Sequence, residues 1–129
     1  MKKNKYSHTP IKEFERDLKK LKKYRNLNED IKTFKELVHG LWPKLPPNTI
    51  PISNLGQKVT VQIYKTKSFY SKDIGKGKRS GLRVIFAFIE DQSGLILIEI
   101  YHHNSKDNED RKRIYKYFGE KWNKSNIYH

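Results

Sequence analysis

The chain contains no cysteine, which at once removes disulfide scaffolds, thiol nucleophiles and every cysteine-ligated zinc or iron–sulfur site. It is compatible with a reducing compartment. No stretch approaches the roughly 20 consecutive apolar residues that span a bilayer. Nor does an apolar core follow the basic segment Met1 to Tyr6, as a signal peptide would require. A soluble, cytoplasmic protein with no membrane partner is expected. His102 and His103 are adjacent and lack a third ligand at zinc spacing, and Asp107, Glu109 and Asp110 lack the glycine and terminal glutamate of a calcium loop. With no phosphate-loop pattern and no Gly-x-Ser-x-Gly elbow, nucleotide hydrolysis and serine-esterase chemistry drop out as well. Neither metal nor cofactor is expected.

Acid is also scarce. Fourteen Asp and Glu stand against 28 Lys and Arg, a formal charge of +14 that attracts polyanions at long range. Nucleic acid leads the partner classes, and a lysine-rich surface that is merely solvated is the alternative. The distribution is uneven: between Val61 and Arg83, the cations Lys65, Lys67, Lys72, Lys76, Lys78, Arg79 and Arg83 meet one acid, Asp73. Tyr64, Phe69 and Tyr70 lie among them, either to stack on bases or to face the core.

A chain of 129 residues fits one domain around one core. Thr9-Pro10 is a helix-start signal, and Ile11, Phe14, Leu18 and Leu21 follow at spacings of three and four. Asn28 with Glu29 and Asp30 reads as a second start, followed by the stripe Ile31, Phe34, Leu37, Val38 and Leu41, so a helical hairpin is expected. The prolines from Trp42-Pro43 to Pro51 imply a surface connection. From Lys58 the period becomes two, with Val59, Val61 and Ile63 on one parity, and beyond Tyr64 that parity passes to Lys65 and Lys67. Either the strand leaves the core there, or its face opens onto a charged ligand.

Gly75, Gly77 and Gly81 mark a basic loop. Leu82 to Ile89 and Leu95 to Tyr101 then read as two buried strands joined by a turn at Glu90 to Gly94. Asp107 or Asn108 can cap a last helix carrying Ile114 and Phe118 and ending at Gly119. The expected class is α+β: an N-terminal helical hairpin packed on a small antiparallel sheet of three to four strands, with a C-terminal helix. The whole of 1–129 forms one domain in this reading, with 1–8 and 120–129 expected to be flexible.

Arg83 sits at the start of an apolar strand, where a charge needs a partner. That partner is either Glu99 on the next strand or a phosphate, whose spread charge suits a bidentate guanidinium. Tyr101, His102 and His103 close the last strand, with Lys106 beyond. Histidine titrates near neutrality and can move a proton in strand cleavage. Alternation separates His102 from Tyr101 and His103 unless the strand ends there.

Taken together, Phe14-Glu15-Arg16-Asp17-Leu18-Lys19-Lys20-Leu21, then Gly75-Lys76-Gly77-Lys78-Arg79-Ser80-Gly81-Leu82-Arg83-Val84-Ile85, then Ile98-Glu99-Ile100-Tyr101 to Lys106 resemble the RelE/ParE superfamily, nearest its HigB-like members. The resemblance implies a RelE-like fold and the toxin component of a type II toxin–antitoxin system. Such a toxin is a metal-independent endoribonuclease that cuts messenger RNA, usually at the ribosome, and so inhibits translation until a cognate antitoxin neutralises it. Carried over position by position, it implies Arg83 at the scissile phosphate, His102 or His103 in proton transfer, and Lys65 and Lys67 as electrostatic support. The basic zone and the strand end supply the substrate-binding residues, Lys76, Lys78, Arg79, Tyr101 and Lys106. The same fold also carries non-enzymatic ParE-type gyrase inhibitors, and an inactive RNA- or ribosome-binding relative is a further alternative.

Overall fold

The computed structural model describes residues 9–71, 80–89 and 94–119. In chain order these form β1 (Thr9–Pro10), α1 (Lys12–Lys20), α2 (Leu27–Leu41), β2 (Thr49–Pro51), β3 (Ile63–Thr66), β4 (Leu82–Ile89), β5 (Gly94–His102) and α3 (Arg111–Phe118). This is the expected α+β class. Strands β2 to β5 make a four-stranded antiparallel meander, and β1 adds a short parallel partner to β5, giving the order β1-β5-β4-β3-β2. The expectations for 1–8, for the loop cations Lys72 to Arg79, for the turn at 90–93 and for 120–129 lie outside the described residues.

Several element boundaries depart from the sequence reading, each for a local reason. Thr9-Pro10 does not start a helix: it pairs with Ile96 and Leu97, and α1 begins two residues later with Ile11 as its N-cap and no side-chain cap bond. Helix α2 starts at Leu27 with Asn26 as N-cap, not at Asn28. The alternating residues from Lys58 to Gln62 are not strand: the pairing with β4 begins at Ile63, opposite Ala87. Hence β3 occupies the stretch where lysine replaces the apolar parity. The proline-rich connection contributes β2, an edge strand, where the missing donor of Pro51 is tolerated. Asp110, rather than Asp107 or Asn108, caps α3, its carboxylate accepting from the Arg113 N–H at 3.1 Å.

The helical hairpin covers one sheet face, where Phe34 of α2 meets Phe86 at 5.5 Å and Phe69 at 5.6 Å, and Trp42 stacks on Phe88 at 4.2 Å. Ile114 and Phe118 bring α3 into the same core, both fully buried. A bulge in β5 decides what the other face carries. Ile85 pairs with Glu99 but Phe86 pairs with Leu97, so Ile98 is the extra residue. Leu97 and Glu99, which plain alternation would place together, go to opposite faces. Leu97 joins the hairpin side, and Glu99 turns toward α3.

The bulge is closed by a buried charge pair. Asp17 of α1 accepts from the Ile100 N–H at 3.1 Å and from Arg113 Nη1 at 2.7 Å, while the same guanidinium donates to the Ile98 carbonyl at 2.8 Å. A carboxylate on the apolar face of α1 is thus matched by one backbone donor and an α3 arginine. Near it, burial pushes Glu13 up, but hydrogen bonds from Lys116 and Tyr117 outweigh this and hold it at about 2.

Candidate nucleic-acid interface

The register of β3, β4 and β5 fixes which polar side chains share a face. Lys65 lies opposite Ile85 and Ile85 opposite Glu99, and one alternation further Arg83 lies opposite Tyr101. Lys67 follows the end of β3, and its carbonyl accepts from Arg83 Nη1 at 3.1 Å. Lys65, Lys67, Arg83, Glu99 and Tyr101 therefore form one polar surface, which runs from the approach to α3 out to the end of the sheet.

At the inner end of this surface the cations are matched within the fold. Lys65 Nζ pairs with Glu109 at 2.8 Å, with both side chains largely buried, and Arg111 Nη2 reaches the other carboxylate oxygen at 3.0 Å. Burial would raise the Glu109 carboxyl, but the Lys65 hydrogen bond and neighbouring cations bring it below its ordinary value. Glu99 pairs with Lys106 and also accepts from the Asp110 N–H at 2.8 Å. Lys65 and Lys106, expected at an RNA site, are thus counter-ions to two buried glutamates. Tyr101 is only 6% exposed, and among the described residues its hydroxyl has no hydrogen-bond partner. Lys106 Nζ lies 5.0 Å from the Tyr101 ring centre. Burial, Glu99 and Glu109 push the hydroxyl up to about 12, with Arg83 acting the other way.

The outer end is arranged differently. Arg83 is half-buried, and among the described residues its guanidinium makes one hydrogen bond, to the Lys67 carbonyl. It does not pair with Glu99, whose oxygens are taken by Lys106 and the Asp110 amide. Because β5 ends at His102, the two imidazoles are released from strand alternation and stack, with centres 4.9 Å apart. They rest against Gly81, whose φ is +84°, and a Cβ built there would lie 2.5 Å from His102 Nε2 and 3.0 Å from His103 Cδ2. Glycine is required twice over, by the left-handed backbone and by the rings. Ser80 anchors this turn: its hydroxyl donates to the Phe69 carbonyl at 2.7 Å and accepts from the Leu82 N–H at 3.0 Å.

The two histidines have different freedom. His102 Nδ1 accepts from the Asn104 N–H at 3.0 Å. Burial holds the His102 imidazole below its ordinary value, and His103, Lys23 and Arg83 add to the effect, while the Ser80 backbone acts the other way. His103 is exposed on the outer side of the stack.

Of the residues expected at the site, Lys67, Arg83, Tyr101, His102 and His103 come together at one end of the sheet. Lys65 and Lys106 sit deeper, in ion pairs, and Lys76, Lys78 and Arg79 lie outside the described residues. The sequence reading missed the role of Glu109 as the Lys65 partner and the arrival of Lys20 at the cavity lined by Tyr101 and His102. Lysines and acids at buried-strand parity signal the first, whereas nothing local signals the second. Among the described residues no three His, Asp or Glu side chains converge as metal ligands, and no helix is long and apolar enough to cross a membrane. No protein-family model matches the chain, and neither the curated proteins nor the solved structures yield a match.

Proposed function

We propose that the protein is a metal-independent endoribonuclease of the RelE/ParE kind: a cytoplasmic toxin that cuts messenger RNA at the ribosome and is neutralised by a cognate antitoxin. The observation that carries this reading is Arg83. Its guanidinium stands at the end of the sheet where β5 runs out into two stacked imidazoles, held by a backbone carbonyl and by no carboxylate among the described residues. Such a group is available to a phosphate.

The chemistry is an intramolecular displacement. The 2′-hydroxyl of RNA forms a new bond to the adjacent phosphorus while the bond to the 5′-oxygen breaks, leaving a cyclic phosphate and a free 5′-hydroxyl. One proton leaves the attacking oxygen, one reaches the departing oxygen, and negative charge grows on the phosphoryl oxygens. Arg83 stabilises that charge, with Lys67 adding to the local field. His103, exposed on the outer side of the stack, is the proton-transfer group, and His102 serves as its stacking support. Tyr101 forms the floor beneath Arg83.

His102 Nδ1 is taken by the Asn104 N–H and its ring is set against Gly81, which leaves His103 as the freer imidazole for two proton transfers and favours a second reading: an RNA- or ribosome-binding protein without cleavage. Induced expression with mapping of transcript 5′ ends separates the two. New ends together with arrested translation are expected. Growth arrest with intact messages would reject cleavage, and blocked DNA supercoiling in the same cells would point instead to a gyrase inhibitor.

A further inference from the structure

Helix α1 and the turn after it carry a second concentration of charge. Of the residues from 12 to 25, eight are exposed: Glu15 and seven lysines or arginines. The remaining acids of the segment are turned inward, Glu13 to Lys116 and Tyr117, and Asp17 to Arg113 and the Ile100 amide. Even Glu15 lies close enough to Lys35 of α2 to act on its charge. The helix therefore uses its acids within the fold and shows its cations to the outside.

Lys19 and Lys20 suit the last turn of α1, but the rest of the arrangement works against the helix. Lys12 and Arg16 are four apart, and Arg16 has Lys19 and Lys20 within one turn, pairings that each cost a helix a few tenths of a kcal/mol. An external anion would relieve that repulsion. The surface also runs into the sheet end, because Lys20 and Leu21 line the same cavity as Tyr101 and His102. A lipid surface fits poorly. The apolar residues of α1 are committed to the core, Phe14 fully and Leu18 against it, so the outward face has no apolar anchor.

We infer that the outward face of α1 and its following turn form a second RNA-binding surface, which holds the phosphate backbone of a strand extending past the His102 end of the sheet. The inference rests on reading that end as an RNA site, but its test is separable. The probes are a long unstructured RNA and an oligonucleotide short enough to cover the sheet end alone, each titrated at several salt concentrations. The proteins are the wild type, the triple variant Lys12→Gln, Arg16→Gln, Lys19→Gln, and Arg83→Ala.

Removing one phosphate-binding cation from a single-strand complex lowers the slope of log affinity against log salt by about 0.7, so the triple variant should lower it by about 2 on the long RNA. Its binding of the short oligonucleotide should not change, and its melting temperature should not fall, since the like-charge pairs are relieved. An unchanged slope on the long RNA would overturn the inference, as would an equal loss on both RNAs. So would a variant that keeps its RNA binding but loses binding to an acidic peptide or to anionic vesicles. If Arg83→Ala leaves the short oligonucleotide bound as before, the reading of the sheet end fails, while the long-RNA slope still judges α1 by itself.

Discussion

The two ends of the polar sheet surface use similar residues in opposite ways. At the inner end each acid is buried and matched, Glu99 by Lys106, Glu109 by Lys65 and Arg111, and, at the neighbouring bulge, Asp17 by Arg113. At the outer end Lys67, Arg83, His102 and His103 gather with no carboxylate bonded to them among the described residues. A buried charge without its partner costs several kcal/mol, so the inner pairs belong to the architecture. Exposed cations that pair with nothing cost little to keep and are free for a ligand. The same lysine-rich composition thus serves stability in one place and, in the proposed function, recognition in the other.

The comparison is broken most severely at the clamp. Arg113→Ala strands the Asp17 carboxylate and removes the donor to the Ile98 carbonyl, and it should cost about 3–5 kcal/mol in urea unfolding, in line with other severed buried pairs. A loss below about 1 kcal/mol would place the bulge under the control of backbone pairing instead.

Gly81→Ala should be next, at about 1–2 kcal/mol for the left-handed backbone, with the His102 and His103 rings displaced as well. Their NMR titrations should shift. Unmoved histidine titrations would show that the rings do not depend on Gly81.

The two ends should also answer to pH in different ranges. Glu13 is held at about 2 in the fold, against an ordinary value of about 4.3 when unfolded. Its stabilising contribution is present above that ordinary value and is lost as pH falls toward 2. Glu13→Gln should flatten the acid limb of the stability curve. His102 is depressed in the fold, so the unfolded chain takes up its proton first, and stability should start to fall once pH drops below about 6.5. His102→Gln should remove that smaller decline. If the decline persists, another group is its source.

Much of the fold is legible in the sequence, because amphipathic periods and continuous apolar runs report burial directly: Phe14 with Leu18, Phe34 with Val38, and Val84 to Ile89 all do what their spacing implies. What the sequence hides depends on partners distant in the chain. Val59 and Val61 alternate as a strand should, yet the pairing with β4 begins only at Ile63. Thr9-Pro10 carries a helix-start pattern that the β5 edge converts into strand. The site was legible as a set of residues, Arg83 and the strand-end histidines, but not as a division of labour. Assigning Lys65 to Glu109, and His102 Nδ1 to the Asn104 N–H, requires knowing where α3 and the loop before it return. Strand parity alone separates Arg83 from His102, and only the termination of β5 at His102 releases that ring to stack on His103.

The smallest stability change should come from the most consequential residue, and Arg83→Ala tests the account directly. The measurement is the yield of new transcript 5′ ends for the wild type and for Arg83→Ala, at matched expression and with urea midpoints determined on both proteins. Midpoints within about 0.5 kcal/mol of each other are expected, with a fall in cleavage of about 100-fold or more, the usual cost of removing one donor to a developing oxyanion. Undiminished cleavage by Arg83→Ala, or a loss of activity matched by an equal loss of stability, would contradict the role proposed for Arg83.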